Sequence, residues 1–347
     1  MNHSLFSLPR RIHNRAGPLT CNLFAALLPL TFLSSAALAY EPNEGHRKLT
    51  QAAFEVLEKC KMPLSAELKQ QVMAGNLAMD KGAAKLPDSL MDSIHANALY
   101  PMKVRVHNWH FYHPDKTSDA ERLSGKTDMS MARLWQAGQT GLATADNGHK
   151  GYYLGALLHL IQDVTVPAHT TPVYHGPKII AWKGEFAPLI RYLGWRHRGL
   201  FLISDPIDKW PVVGVKVGVK LGDKFDAPCP AVIADVNDET APLAEAFDTL
   251  RETTSRQTLS ALDAPIQGCG EPWGIFWRQN IGHRYFSGYN QALKPFDKEG
   301  DFVFNGKQCT PDYQSFVAAR HQAAVDASVA ALALWLKESG ALNRSGS

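Results

Sequence analysis

The stretch from Tyr152 to His169 restricts what this chain can fold into more than any other part of it. Tyr152, Tyr153, Leu154, Leu157, Leu158 and Ile161 belong to an apolar run with helical character, and His159 and Asp163 stand four positions apart within it. Residues four apart on a helix project from one face, so the imidazole and the carboxylate point toward a common place. Pro167 lacks an amide hydrogen and marks the helix end, which puts His169 on the following loop, where it can turn back to the same place or serve a neighbouring one. Two readings fit these residues taken alone. One is a buried histidine hydrogen-bonded to an aspartate, and the other is part of a metal cluster.

The rest of the chain reads mainly as helices. Apolar residues recur near the helical period over 44–60, 64–80, 128–145, 150–164, 240–262 and 312–338. In the last of these, Phe316, Val317, Ala324, Val325, Val329, Leu332 and Leu336 form a core-packing stripe. Between 176 and 235 the pattern changes: Val213 to Lys220 partly alternates, with Pro and Gly nearby, which predicts a short hairpin or extended insertion. The aromatic segment from Trp273 to Phe286 reads as core or pocket wall. With 347 residues, of which 45% are hydrophobic, the chain can bury a large core. The expected architecture is all-α, a single multi-helix domain over 40–347 with an irregular or short-β insertion at 176–235.

Residues 1–39 read as a secretory signal. Arg10, Arg11 and Arg15 precede the largely apolar stretch from Leu23 to Leu33, and Ala37-Leu38-Ala39 supplies a small-residue cleavage site. The mature chain is then expected to start at Tyr40, in a secreted or periplasmic setting. The signal holds three arginines and no acid, so its loss takes 36 basic against 33 acidic residues to 33 against 33. A neutral chain offers no broad electrostatic grip on nucleic acid, which favours a lipid or small phosphoester over a polynucleotide. Of the five cysteines, Cys21 lies in the signal. The spacing of Cys60, Cys229, Cys269 and Cys309 suits disulfides rather than a thiolate zinc site, with Cys269 to Cys309 the favoured pair.

Three blocks in order carry a family likeness: Gly75 to Asp80 in GNLAMDKG, His110 to Asp115 in HFYHPD, and Leu154 to His169 in LGALLHLIQDVTVPAH. With His46, they resemble the bacterial zinc-dependent phospholipase C superfamily, which also includes single-strand-specific zinc nucleases. The likeness runs in scattered blocks over residues 40 to 210. It implies a cluster of two or three Zn2+ ions at one end of a helical domain. His110, His159 and Asp163 match the ligands of one zinc, with Asp163 bridging to a second held by His46 and the mature N-terminus. Family members usually begin with Trp where this chain has Tyr40, a departure that backbone chelation tolerates. Asp80 matches the acid that either binds metal or serves as general base for the attacking water. His169 matches the first ligand of a further zinc. The family's next pair, a histidine followed four residues later by an acid, is not intact; His175 and Asp208 are the nearest equivalents, with Glu185 as an alternative to Asp208. His113 stands where the phospholipase branch tends to have an acid. His95, His107, His149, His197, His283 and His321 match no ligand position and read as ordinary surface or core hydrogen-bonders.

Neutral imidazole and carboxylate without thiolate suit a catalytic zinc that keeps an open position for water. Three functions follow as expectations. The favoured one is a secreted zinc phosphodiesterase of phospholipase C type, acting on phospholipid at a membrane surface, because the HFYHPD and VPAH strings lie nearer that branch and aromatic residues offer apolar pocket walls. The second is a zinc nuclease or nucleotidase on the same scaffold, which needs base-stacking surfaces and a cationic groove. The third is a non-catalytic exported metal-binding protein; a spare carboxylate at Asp80 argues against it.

Overall fold

The structure is a computed structural model, and it describes residues 45–79, 110–115, 122–123, 127–128, 131–171, 207, 210–212, 240–277 and 300–340. Seven α-helices occupy most of them. In chain order they are α1 (His46–Lys59), α2 (Ala66–Ala78), α3 (Ala132–Thr144), α4 (Asn147–Asp163), α5 (Pro167–Thr170), α6 (Leu243–Asp263) and α7 (Tyr313–Glu338). Two short antiparallel pairs complete the description: β1 (Arg122–Leu123) with β2 (Thr127–Asp128), and β3 (Phe302–Phe304) with β4 (Lys307–Cys309). The described residues are thus mostly helical, as the periodicity predicts. Among the described residues no helix is long and apolar enough to cross a membrane.

Helix α4 is the axis of the packing. Every residue from Tyr153 to Asp163 is buried, so this part of the helix needs neighbours all round. α2, α3 and α7 supply them, while α1 packs on α7 and α2, and α6 on α7 and α5. The closest approach is between α2 and α4. A Cβ added at Gly75 would lie 1.9 Å from the Tyr152 carbonyl oxygen, and one at Gly155 would lie 2.0 Å from the Val72 carbonyl oxygen. Backbone therefore touches backbone at this crossing, and only glycine permits it.

Local signals explain most of the helix ends and also the places where the sequence reading shifts. The Ser65 side chain caps α2 by accepting from the Leu68 amide at 3.2 Å, and the Asp312 carboxylate caps α7 by accepting from the Ser315 amide at 2.9 Å. α4 begins at Asn147 rather than 150, because Gly148 and Gly151 weaken the helical signal without preventing the helix. α3 begins at Ala132 rather than 128. Thr127 and Asp128 are spent on β2, and the Met131 amide donates to the Phe111 carbonyl at 2.9 Å just before the helix starts. Pro167 does more than end α4: it stands at the first position of α5, where a missing amide hydrogen costs nothing, so His169 lies in a short helix and not in a loop.

Of the expected insertion at 176–235, Ile207 lies in the core and Trp210 and Val212 pack against it, while the hairpin predicted at 213–220 falls outside the described residues. Cys269 and Cys309 form a disulfide that ties the loop after α6 to β4. Cys60 is also disulfide-bonded. Trp273, Phe276 and Trp277 are buried, with Trp273 stacked on Phe316 of α7, so this part of the aromatic segment is core.

Gly155→Ala should destabilise the protein by roughly 1–3 kcal/mol, because a methyl group placed against the Val72 carbonyl forces the two helices apart. Chemical denaturation measures it, and an unchanged midpoint would refute the backbone contact.

Candidate metal centre

Four segments converge at the C-terminal end of α4. α1 brings His46 at its first turn, the extended chain before Tyr112 brings His110, α4 brings His159 and Asp163, and α5 brings His169. All five side chains are buried. The helical spacing places His159 and Asp163 together as expected, with His159 Nε2 3.3 Å from Asp163 Oδ2. His46 and His110 arrive from 117 and 53 positions away, and only the tertiary fold brings them there.

The carboxylate is divided between its neighbours. Asp163 Oδ2 faces His110 Nδ1 at 2.5 Å as well as His159 Nε2, and those two nitrogens are themselves 3.2 Å apart. Asp163 Oδ1 faces His46 Nε2 at 3.3 Å and has no hydrogen-bond partner. The rings of His46 and His159 stack with centroids 3.8 Å apart, and His110 meets His159 edge-on. His169 stands one step out, its ring centroid 6.3 Å from that of His110. Its Nδ1 donates to the His110 carbonyl at 3.0 Å, and the Tyr112 amide donates to the His169 carbonyl at 2.8 Å.

Protonation follows from burial. Removal from water pushes His159 down to about 3, against the pull of Asp163, so its ring is neutral at ordinary pH. Burial pushes Asp163 the other way, but His159, His110 and His169 outweigh it and hold the carboxyl well below the usual range. Neutral imidazole and ionised carboxylate are the forms a metal requires.

His46, His159 and Asp163 form a buried group that could hold a metal ion, each offering a donor atom within 4.8 Å of the others. Two observations test the fit. Four-coordinate zinc with bonds of about 2.0–2.1 Å sets its donors about 3.3 Å apart, close to the 3.3 Å from His46 Nε2 to Asp163 Oδ1 and from His159 Nε2 to Asp163 Oδ2, whereas His110 Nδ1 stands nearer, 2.5 Å from Oδ2. The orphaned Asp163 Oδ1, buried beside an imidazole nitrogen, is an anion's oxygen in need of a positive partner. The residues present fit a cation.

The expected site residues divide cleanly. His46, His110, His159, Asp163 and His169 are described and stand together, whereas Tyr40, Asp80, His175, Asp208 and the alternative Glu185 lie outside the described residues. His149 pairs on the surface with Asp146, and His321 is buried in α7. Sequence reasoning passed over Gln162, whose buried amide contacts His46, Asn76, Thr50 and Ser328. The signal was there to read: an amide inside an apolar helical run needs polar partners from other elements. Comparison with models of known protein families, with curated proteins and with solved structures finds no match to this chain.

Zinc added to chelator-treated protein should raise its thermal midpoint, since an ion that binds only the folded state stabilises it by about 2.7 kcal/mol at roughly 100 times Kd. His159→Ala should remove most of that gain. A midpoint indifferent to zinc would refute the metal reading.

Proposed function

We propose that the protein is a secreted zinc metallohydrolase of phosphoric diesters, of phospholipase C type, which cleaves phospholipid to diacylglycerol and a phosphorylated headgroup. The observation that carries this reading is the division of the Asp163 carboxylate, Oδ1 toward His46 and Oδ2 toward His110 and His159. A carboxylate with imidazoles at both oxygens can serve two cations at once. The donor set is nitrogen and oxygen without thiolate, the set of hydrolytic rather than sealed zinc sites. When bound, such paired ions lower the pKa of water, neutralise phosphoryl oxygens and stabilise a leaving alkoxide.

The chain's own part is to hold these groups ready. Burial keeps His159 a neutral donor, and three imidazoles keep Asp163 ionised. The hydrogen bonds of His169 to the 110–112 segment fix His110 and His169 relative to one another. The reading gives Asp80 the role of metal ligand or of base for the attacking water, and gives Tyr40, His175 and Asp208 the remaining coordination. Phospholipid is preferred to nucleic acid because the chain without its first 39 residues carries equal numbers of basic and acidic residues.

The test is release of phosphorylated headgroup from mixed phospholipid vesicles, by zinc-loaded and chelator-treated protein in parallel. Zinc-dependent release is expected, and His159→Ala or Asp163→Ala should lower it by on the order of 100-fold or more, since each removes a metal ligand. Zinc-loaded protein that spares phospholipid and cleaves single-stranded DNA would place it among nucleases instead. Zinc-loaded protein inert toward both would leave the metal a structural role.

A further inference from the structure

Gln162 precedes Asp163 at the end of α4 and is fully buried, with polar groups from three other helices around its amide. Its orientation can be worked out from the proton inventory. The Ser328 hydroxyl donates to the Ala324 carbonyl at 2.6 Å, so toward Gln162 its oxygen can only accept. Gln162 Nε2 accordingly donates to Ser328 Oγ at 3.0 Å and to Thr50 Oγ1 at 3.0 Å. Gln162 Oε1 then faces the other way, where it accepts from Asn76 Nδ2 at 3.2 Å and lies 2.7 Å from His46 Nδ1.

An amide oxygen has no proton to give, so His46 Nδ1 carries the hydrogen of that bond. With Nδ1 so committed, Nε2 is the nitrogen of His46 that faces Asp163 Oδ1, at 3.3 Å. An imidazole nitrogen and a carboxylate oxygen at that distance are placed as two donors to one zinc ion would be.

We propose that Gln162 is a positioning residue: it holds His46 in the Nδ1–H tautomer and so dedicates His46 Nε2, together with Asp163 Oδ1, to a metal ion. This rests on the metal reading above and adds to it the binding atom of His46 and the residue that selects it. Hydrogen bonds to the far nitrogen of a ligating imidazole set its tautomer and ring orientation in this way. Thr50 of α1 and Ser328 of α7 complete the chain of contacts, so the helix that carries His46 and the helix behind it both bear on the same amide.

Protein purified after export, zinc-loaded and labelled with 15N in its histidines, tests the assignment directly. Nuclear magnetic resonance should find His46 protonated at Nδ1 with its metal-shifted nitrogen at Nε2; the reverse tautomer overturns the proposal. Competition with a chromophoric chelator supplies a second readout. Gln162→Met, similar in size but without an acceptor, should weaken the ion at His46 by about 10–100-fold, while Gln162→Glu, which keeps an acceptor facing Nδ1 but loses the donor to Ser328 and Thr50, should weaken it less. Unchanged affinity in Gln162→Met, or equal loss in both variants, overturns the role. If Gln162→Met does not fold, the tautomer in the unsubstituted protein and the affinity of Gln162→Glu still decide. Unsubstituted protein that takes up no zinc defeats the metal reading itself, a separate result from zinc uptake that ignores Gln162.

Discussion

An ionised carboxylate shut away from water must be answered by something positive, and the end of this helical domain is organised around that demand at Asp163. Burial of such a charge without compensation costs several kcal/mol or more in a real protein interior. Four segments meet the demand in part, bringing His46, His110, His159 and His169 around one carboxylate. Imidazoles alone are an incomplete answer, because His159 is kept neutral by the same burial that makes Asp163 expensive. A cation at the junction resolves both difficulties, and the spacing of the donors leaves room for one.

The precision of that junction comes from packing some distance away. α2 and α4 touch backbone to backbone through Gly75 and Gly155, which fixes how far along α4 the Asn76 side chain reaches. Asn76 in turn meets Gln162, one residue from the carboxylate. Close-packed interiors transmit such constraints, since there is no slack to absorb a shift. His46, His159, Asp163 and His169 therefore sit on helices whose positions are set by apolar contacts and glycine crossings. Metal sites built on rigid elements hold their geometry without relying on the ion to impose it.

What could be read in advance was local. The helical period of the apolar residues gives six of the seven helices described, and the four-residue interval gives the pairing of His159 with Asp163, because both depend only on the repeat of the α-helix. Trp273, Phe276 and Trp277 as core, and Cys269 with Cys309 as a disulfide, also follow from residue type and neighbourhood. The helix at Pro167 was misread because proline signals an end and a beginning with the same residue, and which one applies depends on the chain that follows. Gln162 was missed for a different reason. Its partners Thr50, Asn76 and Ser328 lie 112, 86 and 166 positions away, beyond any local pattern.

The sequence by itself determined the class of fold, the His159 and Asp163 pair and the chemical type of the donors. All of these are properties of neighbours along the chain. Only the tertiary structure decided that His46 and His110 take opposite oxygens of one carboxylate, and that the Gln162 amide meets Nδ1 of His46. The physical reason is that helix period is set by backbone geometry within a few residues. Which faces meet is set by packing shape and by the need of each buried polar atom for a partner, and both are settled only when distant segments are in contact.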